Sequence, residues 1–345
     1  MELTHRYDQA IEPGQTGFVD FHINADMKAP VYVYYELSNF YQNHRRYVKS
    51  RDDDQLAAGN GVDPGASAYS TNCDPRSTSS YTAADGKVTE KQLYPCGLVA
   101  LSVFNDTFVV SRNKAGTPVS PFTYLEVDQS PDTICWSQDV SKKFHQADPP
   151  YVPPGSTQSL IEKMDMWLLK TFPPEICLPV SPNTSPQQRP VATKKLPDGS
   201  TIVDCDFSNL DAVKCNFDPP CTGDFAPVPN PSNWGINNGH FINWMRTAGL
   251  STFRKLYGRI DNDLNAGDIV RVGIQSNFPV DSYSGTKSIV LSTVSWLGGK
   301  NSFLGIGYLA VGGLALLFTA VYAFLHFKRP RRLIDIDYLD WGDNR

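Results

Sequence analysis

The chain has 345 residues, of which 41% are hydrophobic and 19% are charged, and its formal net charge is −5 at pH 7. This composition is typical of a globular protein with a core and excludes a chain that is disordered throughout. The negative net charge gives no global basic field of the kind that attracts nucleic acid.

Alternating apolar and polar residues predict β-strands over residues 17–23 and 29–37, the second with Val31, Val33, Tyr35 and Leu37 on one face. Residues 96–112 predict one or two strands interrupted at the Asn-Asp turn. Residues 267–280 and 287–297 predict a later pair of strands, separated by a turn at Ser284-Gly285. Strands at both ends of residues 1–300 indicate a mainly β, antiparallel sandwich-like ectodomain with short helices, an α+β fold.

Two segments show apolar periodicity that predicts helices. Residues 159–172 predict one helix with Met164, Trp167 and Leu168 on its apolar side. Residues 237–260 predict a longer helix that Gly249 breaks or bends, after which Ser251 caps a second helical turn. A loop rich in Gly, Ser and Thr over residues 57–87 and a proline-rich insertion over residues 146–234 interrupt this pattern.

Seven cysteines lie at positions 73, 96, 135, 177, 205, 215 and 221, and none forms a C-x-x-C pair. Their spacing therefore predicts neither a metal site nor thioredoxin-type chemistry. N-glycosylation sequons begin at Asn105 and Asn183. Cysteines, sequons and a membrane segment together indicate an oxidising lumenal or extracellular compartment.

Residues 301–327 contain no Asp, Glu, Lys or Arg. At about 1.5 Å per residue they form a helix of about 40 Å, long enough for a hydrocarbon core of about 30 Å. The basic run at residues 328–332 predicts a cytosolic tail over residues 328–345 and places residues 1–300 on the other side of the membrane. The polar sequence after Met1 resembles no signal peptide, so we expect an upstream segment that this chain lacks.

Small residues recur along one narrow face of this predicted span, at Gly305, Gly312, Ala315, Thr319 and Ala323. Such a face allows a neighbouring membrane helix to approach closely. The alternative interpretation is that glycine and alanine are simply common in membrane helices.

Four blocks, residues 39–56, 95–107, 243–260 and 290–313, closely resemble the accessory (β) subunit of phospholipid flippases, the cell division control protein 50 or ligand-effect modulator family. The resemblance implies a two-span membrane protein with a glycosylated β-rich ectodomain and no catalytic activity or cofactor of its own. The family's first span is absent from this chain.

The resemblance further implies a heterodimer with a type-IV P-type ATPase, the pump that moves phospholipids from the exoplasmic to the cytosolic leaflet. The subunit would support the pump's folding, its exit from the endoplasmic reticulum and its transport cycle. It would reside in a membrane of the secretory pathway: endoplasmic reticulum, Golgi, endosome or plasma membrane.

The resemblance also implies roles for individual residues. It pairs Cys73 with Cys96 in a disulfide and matches Asn105 to the family's glycosylation position. Cys135 is interpreted as a buried free thiol, whereas Asn183 rests on its sequon alone. Cys177, Cys205, Cys215 and Cys221 have no counterpart in the family, and their two disulfides have three possible connectivities.

Candidate partner-binding residues lie in the blocks that resemble the family and on the predicted membrane helix: Arg45, Arg46, Arg51, Arg246, Arg254, Gly305, Gly312, Ala315 and Thr319. For the basic run at residues 44–51, internal pairing with Asp52, Asp53 and Asp54 is the alternative. Contact with a lipid headgroup is a further hypothesis for this run.

The main rival to a flippase subunit is a free-standing receptor or adhesion protein whose β-sandwich binds an external ligand, a reading that the proline-rich insertion favours. An enzyme is not indicated, because the sequence contains no G-x-S-x-G, H-E-x-x-H, P-loop or DKTG motif. Any ATP-driven step would then belong to a partner.

Overall fold

The computed structural model describes residues 1–57, 69–82, 86–117, 122–147, 149, 157–173, 175–179, 193–195, 201–203, 205–206, 214–215, 225–229, 233–293 and 302–328. The chain divides into two units, Met1–Val294 and Ser295–Arg345.

Strands dominate the first unit, and they are β1 (Glu2–Arg6), β2 (Thr16–His22), β3 (Val31–Ser38), β4 (Thr78–Thr82), β5 (Val88–Leu93), β6 (Thr107–Asn113), β7 (Thr123–Tyr124), β8 (Met164–Asp165), β9 (Glu175–Pro179), β10 (Thr193–Lys195), β11 (Thr201–Val203), β12 (Cys205–Asp206), β13 (Lys214–Cys215), β14 (Phe225–Pro229), β15 (Phe253–Ile260), β16 (Ile269–Gln275) and β17 (Thr286–Thr293). The helices are α1 (Arg45–Lys49), α2 (Asp53–Leu56), α3 (Tyr69–Asn72), α4 (Leu98–Leu101), α5 (Pro131–Ile134), α6 (Leu160–Lys163), α7 (Leu168–Thr171), α8 (Gly239–Met245) and α9 (Ser302–Lys328). One π-helical turn spans Asp139–Lys143.

Two four-stranded antiparallel sheets build the first unit, in the orders β1-β17-β3-β15 and β2-β16-β6-β7. Their inner faces share one hydrophobic core. Phe108 of the second sheet contacts Tyr257 of the first at 4.5 Å between ring centroids, and the Tyr257 hydroxyl accepts a hydrogen bond from the Phe108 N–H at 3.0 Å. The predicted mainly β fold with short helices is therefore confirmed.

The predicted strands at 17–23 and 29–37 are present as β2 and β3. Val31, Val33, Tyr35 and Leu37 are all buried, as their alternation predicts. Residues 267–280 and 287–297 also contain strands, β16 and β17, but the two do not pair with each other. The turn at Ser284 separates them as predicted, and the two strands belong to different sheets.

Helix α8 confirms the first part of the helix predicted over residues 237–260. The second part is wrong, because α8 ends at Met245 and residues 253–260 form strand β15. Phe253 and Tyr257 fit both a helical and a period-two pattern. Lys255, between them, is likewise buried, which only the strand explains. Pairing of β15 with β3 decides the outcome.

Two further predictions on short apolar segments fail in part. In residues 96–112 the strand after the Asn-Asp turn is present as β6, but the segment before the turn forms one helical turn, α4, and not a strand. Residues 159–172 form α6, β8 and α7 instead of one helix, because Met164 pairs in parallel with Gln92 of β5. Periodicity cannot separate buried strands from short buried helices in runs of this length.

The insertion contributes three two-stranded antiparallel pairs, β9 with β14, β10 with β11, and β12 with β13. In the last pair the backbone places Cys205 opposite Cys215. The predicted disulfides of the four insertion cysteines lie outside the described residues, since the side chains of Cys177, Cys205 and Cys215 and the whole of Cys221 are not described. The sequon at Asn183 also lies outside them.

The second unit contains helix α9, which matches the helix expected over residues 301–327. Its segment Gly305–Lys328 has 24 residues and a mean hydropathy of 2.0. By length and composition this helix can cross a membrane.

Candidate partner-binding surface

Two of the sequence blocks singled out above meet at the surface of the first sheet. The chain leaving β3 and the chain entering β15 run side by side in loops 39–44 and 246–251. Three hydrogen bonds join the loops: Phe40 N to Ser251 O at 3.0 Å, Ala248 N to Gln42 Oε1 at 2.8 Å, and Asn43 Nδ2 to Gly249 O at 2.9 Å. The two loops therefore form one surface feature.

An aromatic cluster supports these loops from below. The Phe40 ring lies 5.5 Å from Trp244, 5.9 Å from Tyr47 and 5.3 Å from Tyr283, measured between ring centroids and with edge-to-face geometry. Trp244 is fully buried, and its Nε1 donates to the backbone carbonyl of Val99 at 2.8 Å. Edge-to-face contacts and a satisfied indole N–H give the loops a rigid base.

Exposed apolar and basic side chains project from this base. Tyr41 is 57% exposed and Leu250 is 73% exposed. Exposed basic side chains follow directly in and around α1, and among the described residues none of them has an ion pair: His44, Arg45, Arg46 and Lys49. We call Tyr41, Leu250 and these four residues the basic–apolar patch.

The other predicted arginines have partners. Arg51 contacts Asp53 at 2.9 Å and donates to the Met245 carbonyl at 3.1 Å. Arg254 bridges Glu36 at 2.6 Å and Glu2 at 2.9 Å. Among the described residues, Arg51 and Arg254 are thus paired internally, whereas Arg45 and Arg46 have no ion pair.

The aspartates that follow the basic run do not neutralise the patch. Asp52 is buried, caps α2 by accepting from Gln55 N at 2.9 Å, and accepts from Asn72 at 2.9 Å. Asp53 pairs with Arg51. The positive charges of α1 are therefore exposed and can attract an acidic surface of another molecule.

Arg246 lies beside a separate cavity of about 270 Å³. Its Nε donates to Asp139, and its guanidinium carbon lies 5.0 Å from the Trp136 ring centroid. Burial outweighs the other influences on the Cys135 thiol and raises its pKa to about 12. The thiol donates to Gly239 O at 3.0 Å. Cys135 is a free cysteine, as predicted, but it is half-buried and not fully buried.

The structure joins Cys73 to Cys96 by a disulfide, with the two Cα atoms 5.6 Å apart. Ser50, at the end of the basic block, connects the disulfide to α4, because its hydroxyl donates to Cys73 O at 3.1 Å and accepts from Leu98 N at 2.9 Å. The disulfide thus holds the base of the patch as well as the loop that it encloses.

Asn105 lies half-buried just before β6. Its backbone carbonyl accepts from Asn277 Nδ2 at 3.1 Å, and its side-chain Oδ1 is buried with no hydrogen-bond partner in the described part of the chain. The hydroxyl of Thr107 lies 3.4 Å from Gln275 Oε1.

The small residues of α9 lie on an open helix surface. A Cβ atom added at Gly305 or Gly312 would meet nothing within 4 Å in the described residues. Thr319 donates its hydroxyl to Ala315 O at 2.8 Å, so its polar group is satisfied within the helix. The face is therefore smooth and free of an unsatisfied hydroxyl.

Sequence reasoning missed a buried charged cluster around Lys287 and Asp106, whose Nζ and Oδ2 atoms lie 2.7 Å apart. A lysine two residues before the apolar run 289–291 of β17 was the available signal, because a lysine that becomes buried requires a partner. Among the described residues no group of three His, Cys, Asp or Glu side chains is placed to hold a metal ion.

A model of the LEM3 (ligand-effect modulator 3) family / CDC50 family matches residues 3–332. ALA-interacting subunit 3 of Arabidopsis thaliana is 34% identical over 325 residues, which cover 94% of this chain and 68% of that protein. Cell cycle control protein 50B of Homo sapiens is 35% identical over 308 residues, covering 87% of this chain and 68% of that protein. Cell cycle control protein 50A of Mus musculus is 34% identical over 320 residues, covering 90% of this chain and 68% of that protein.

The family model spans nearly the whole chain. Relatives from a plant and two mammals match this chain at similar identity. The resemblance drawn from the four sequence blocks is thereby confirmed. This chain belongs to the CDC50/LEM3 family.

Proposed function

We propose that this protein is the accessory subunit of a type-IV P-type ATPase, with which it forms a heterodimer in the membrane. The names of its relatives, which include an interacting subunit, support an accessory role. One structural observation carries the proposal: two of the recognised blocks are joined into a surface whose exposed cations have no ion pair with any residue that the structure describes. Such a surface fits a protein partner with acidic exoplasmic loops.

In this proposal α9 crosses the membrane and residues 1–300 lie on the exoplasmic side, with residues 328–345 in the cytosol. The basic run after α9 supports this orientation. The Cys73–Cys96 disulfide suits an oxidising compartment. Asn105 and Asn183 would then be accessible to glycosylation, and the secretory pathway would host the complex.

The accessory subunit would stabilise the pump during folding and export, while ATP hydrolysis and movement of phospholipid to the cytosolic leaflet belong to the pump. The open face of α9 would pack on a membrane helix of the pump, and the basic–apolar patch would bind its exoplasmic loops. Both contacts would contribute to one interface.

The test is purification of the full-length protein from its native membranes in mild detergent, followed by mass spectrometry and a phospholipid-stimulated ATPase assay. We expect a P-type ATPase to co-purify, and we expect its activity to fall when the subunit is removed. Recovery of the subunit alone would overturn the proposal and favour the hypothesis of a free-standing receptor or adhesion protein.

A charge-reversal variant, Arg45→Glu with Arg46→Glu, tests the patch itself. We expect it to reduce the co-purified pump, because two repulsive charges would replace two attractive ones. The matched control is Arg76→Glu with Lys114→Glu, which reverses two exposed charges elsewhere on the first unit. Equal loss in both variants would show a general charge effect and count against the patch.

A further inference from the structure

A cavity of about 270 Å³ opens between the end of α5, the π-helical turn and the end of α8. Ile134 and Ile242 are buried and form its apolar walls. Trp136 lines the cavity and is 60% exposed. A largely exposed tryptophan at a concave site is a common anchor for a binding partner.

Arg246 is held in one orientation at this cavity. Its Nε is bound to Asp139 and its guanidinium stacks against the Trp136 ring. Its side chain is half-exposed, and its two terminal nitrogens have no partner among the described residues. Because the guanidinium is planar and already positioned, these nitrogens can receive an oxyanion at little entropic cost.

The charges around the cavity leave a small positive excess. Asp139 is almost fully buried and forms two ion pairs. One is with Arg246, and the other is with Lys143, whose Nζ lies 3.1 Å from Asp139 Oδ1. The Lys255 ammonium group donates to the backbone carbonyls of Asn243 and Arg246. Asp132 acts electrostatically on the neighbouring Cys135. Three cations thus face two carboxylates, so a ligand with a single negative charge would balance the site.

The ligand chemistry follows from these walls and charges. A carboxylate on a short aliphatic stem would place its oxygens at Arg246 and its methylene groups between Ile134 and Trp136. A doubly charged phosphate would exceed the single positive excess and leave the site with a net negative charge. The Cys135 thiol stays protonated near neutral pH, because its pKa is raised to about 12, and it donates to Gly239 O.

The cavity lies at the start of a loop that also contributes to the basic–apolar patch. Arg246 begins the same loop, residues 246–251, that carries Leu250 of the basic–apolar patch, so one loop contributes both to the cavity and to the surface proposed to bind the pump. We infer that this cavity is a socket for an aspartate or glutamate side chain from an exoplasmic loop of the ATPase. The inference rests on the proposed function and identifies one contact within it.

Two substitutions test the socket in the full-length subunit. Trp136→Ala removes an exposed ring, and Arg246→Lys keeps the positive charge beside Asp139 while losing the planar fork. We expect each to weaken pump binding at least about tenfold. Tyr124→Ala is the control, since Tyr124 is 39% exposed on β7 and does not line the cavity.

A photo-crosslinking amino acid at position 136, with position 124 as the control, identifies the occupant directly. We expect a crosslink from position 136 to a pump peptide that contains Asp or Glu. Crosslinks only to lipid, or only within the subunit, would overturn the inference even if the variants misfold. Equal binding by wild type and variants would overturn the socket and leave the proposed function standing, whereas a wild-type subunit without any pump would remove both.

Discussion

The Nζ atom of Lys287 lies 2.7 Å from Oδ2 of Asp106, and both side chains are almost fully buried, at 1% and 0% exposed. The Tyr7 hydroxyl donates to the same carboxylate oxygen at 2.6 Å. Lys287 also donates to Ser276 Oγ and to the Phe278 carbonyl. This ion pair therefore connects β17, the start of β6 and the end of β16, and Asp106 is also the middle residue of the Asn105 sequon.

Asp106→Asn leaves Lys287 as a buried charge without a counter-ion while it preserves the sequon. We expect the free energy of unfolding to fall by about 3–5 kcal/mol, the usual cost of breaking a buried pair from one side. Urea unfolding of the purified protein measures this loss. Asp281→Asn, at an exposed position, is the control, and adding Lys287→Met to Asp106→Asn should restore part of the loss.

Gly97→Ala tests the connection between the disulfide and the basic block. Gly97 has a φ of 99°, and a Cβ atom there would lie 2.2 Å from the Ser50 carbonyl oxygen. The strained backbone alone costs about 1–2 kcal/mol, and the clash must displace Ser50 as well. We expect a clear loss of stability and of pump binding.

Gly116→Ala separates these two effects, because Gly116 has a φ of 78° with nothing within 4 Å of an added Cβ. It should show only the backbone cost. If both variants unfold at the same urea concentration, the contact with Ser50 does not matter for stability.

Strands with strict alternation could be predicted from the sequence, and segments decided by long-range pairing could not. Val31 to Leu37 predict β3 because only one face of that strand is buried. Residues 253–260 carry an ambiguous pattern, and β3 as their partner lies more than 200 residues away in sequence. The arginines show the same limit: sequence selected Arg45 and Arg254 alike, and only the fold shows Arg254 bound by two glutamates.

The pH dependence of stability should report Lys255. Burial, followed by repulsion from Arg246, lowers the pKa of Lys255 from 10.5 to about 8. Between these values the unfolded chain retains a proton that the folded protein has lost. Stability attributable to this group therefore rises with pH, by up to about 1.4 kcal/mol per pH unit between pH 8 and pH 10.5.

The measurement is the difference in unfolding free energy between wild type and Lys255→Met at pH 8, 9 and 10. Taking the difference cancels groups that titrate alike in both proteins. We expect the wild type to gain relative to the variant as pH rises. A difference that stays constant over this range would show that Lys255 titrates normally in the folded protein.

Leucine at both Gly312 and Ala315 should weaken assembly with the pump. At about 100° per residue, Gly305, Gly312, Ala315, Thr319 and Ala323 fall within an arc of about 80°. Two leucines would fill this narrow surface, along which a partner helix can approach closely, and membrane helices gain little from apolar bulk that lipid already satisfies. We expect less pump to co-purify at unchanged subunit abundance.

Leu314→Phe with Leu317→Phe adds volume to the opposite side of α9 and serves as the control, so binding should survive there. If Gly312→Leu with Ala315→Leu also leaves co-purification unchanged, the small-residue face reflects the ordinary composition of membrane helices. Loss in both variants would instead indicate that α9 is surrounded by pump helices, because bulk on either side would then disrupt contact.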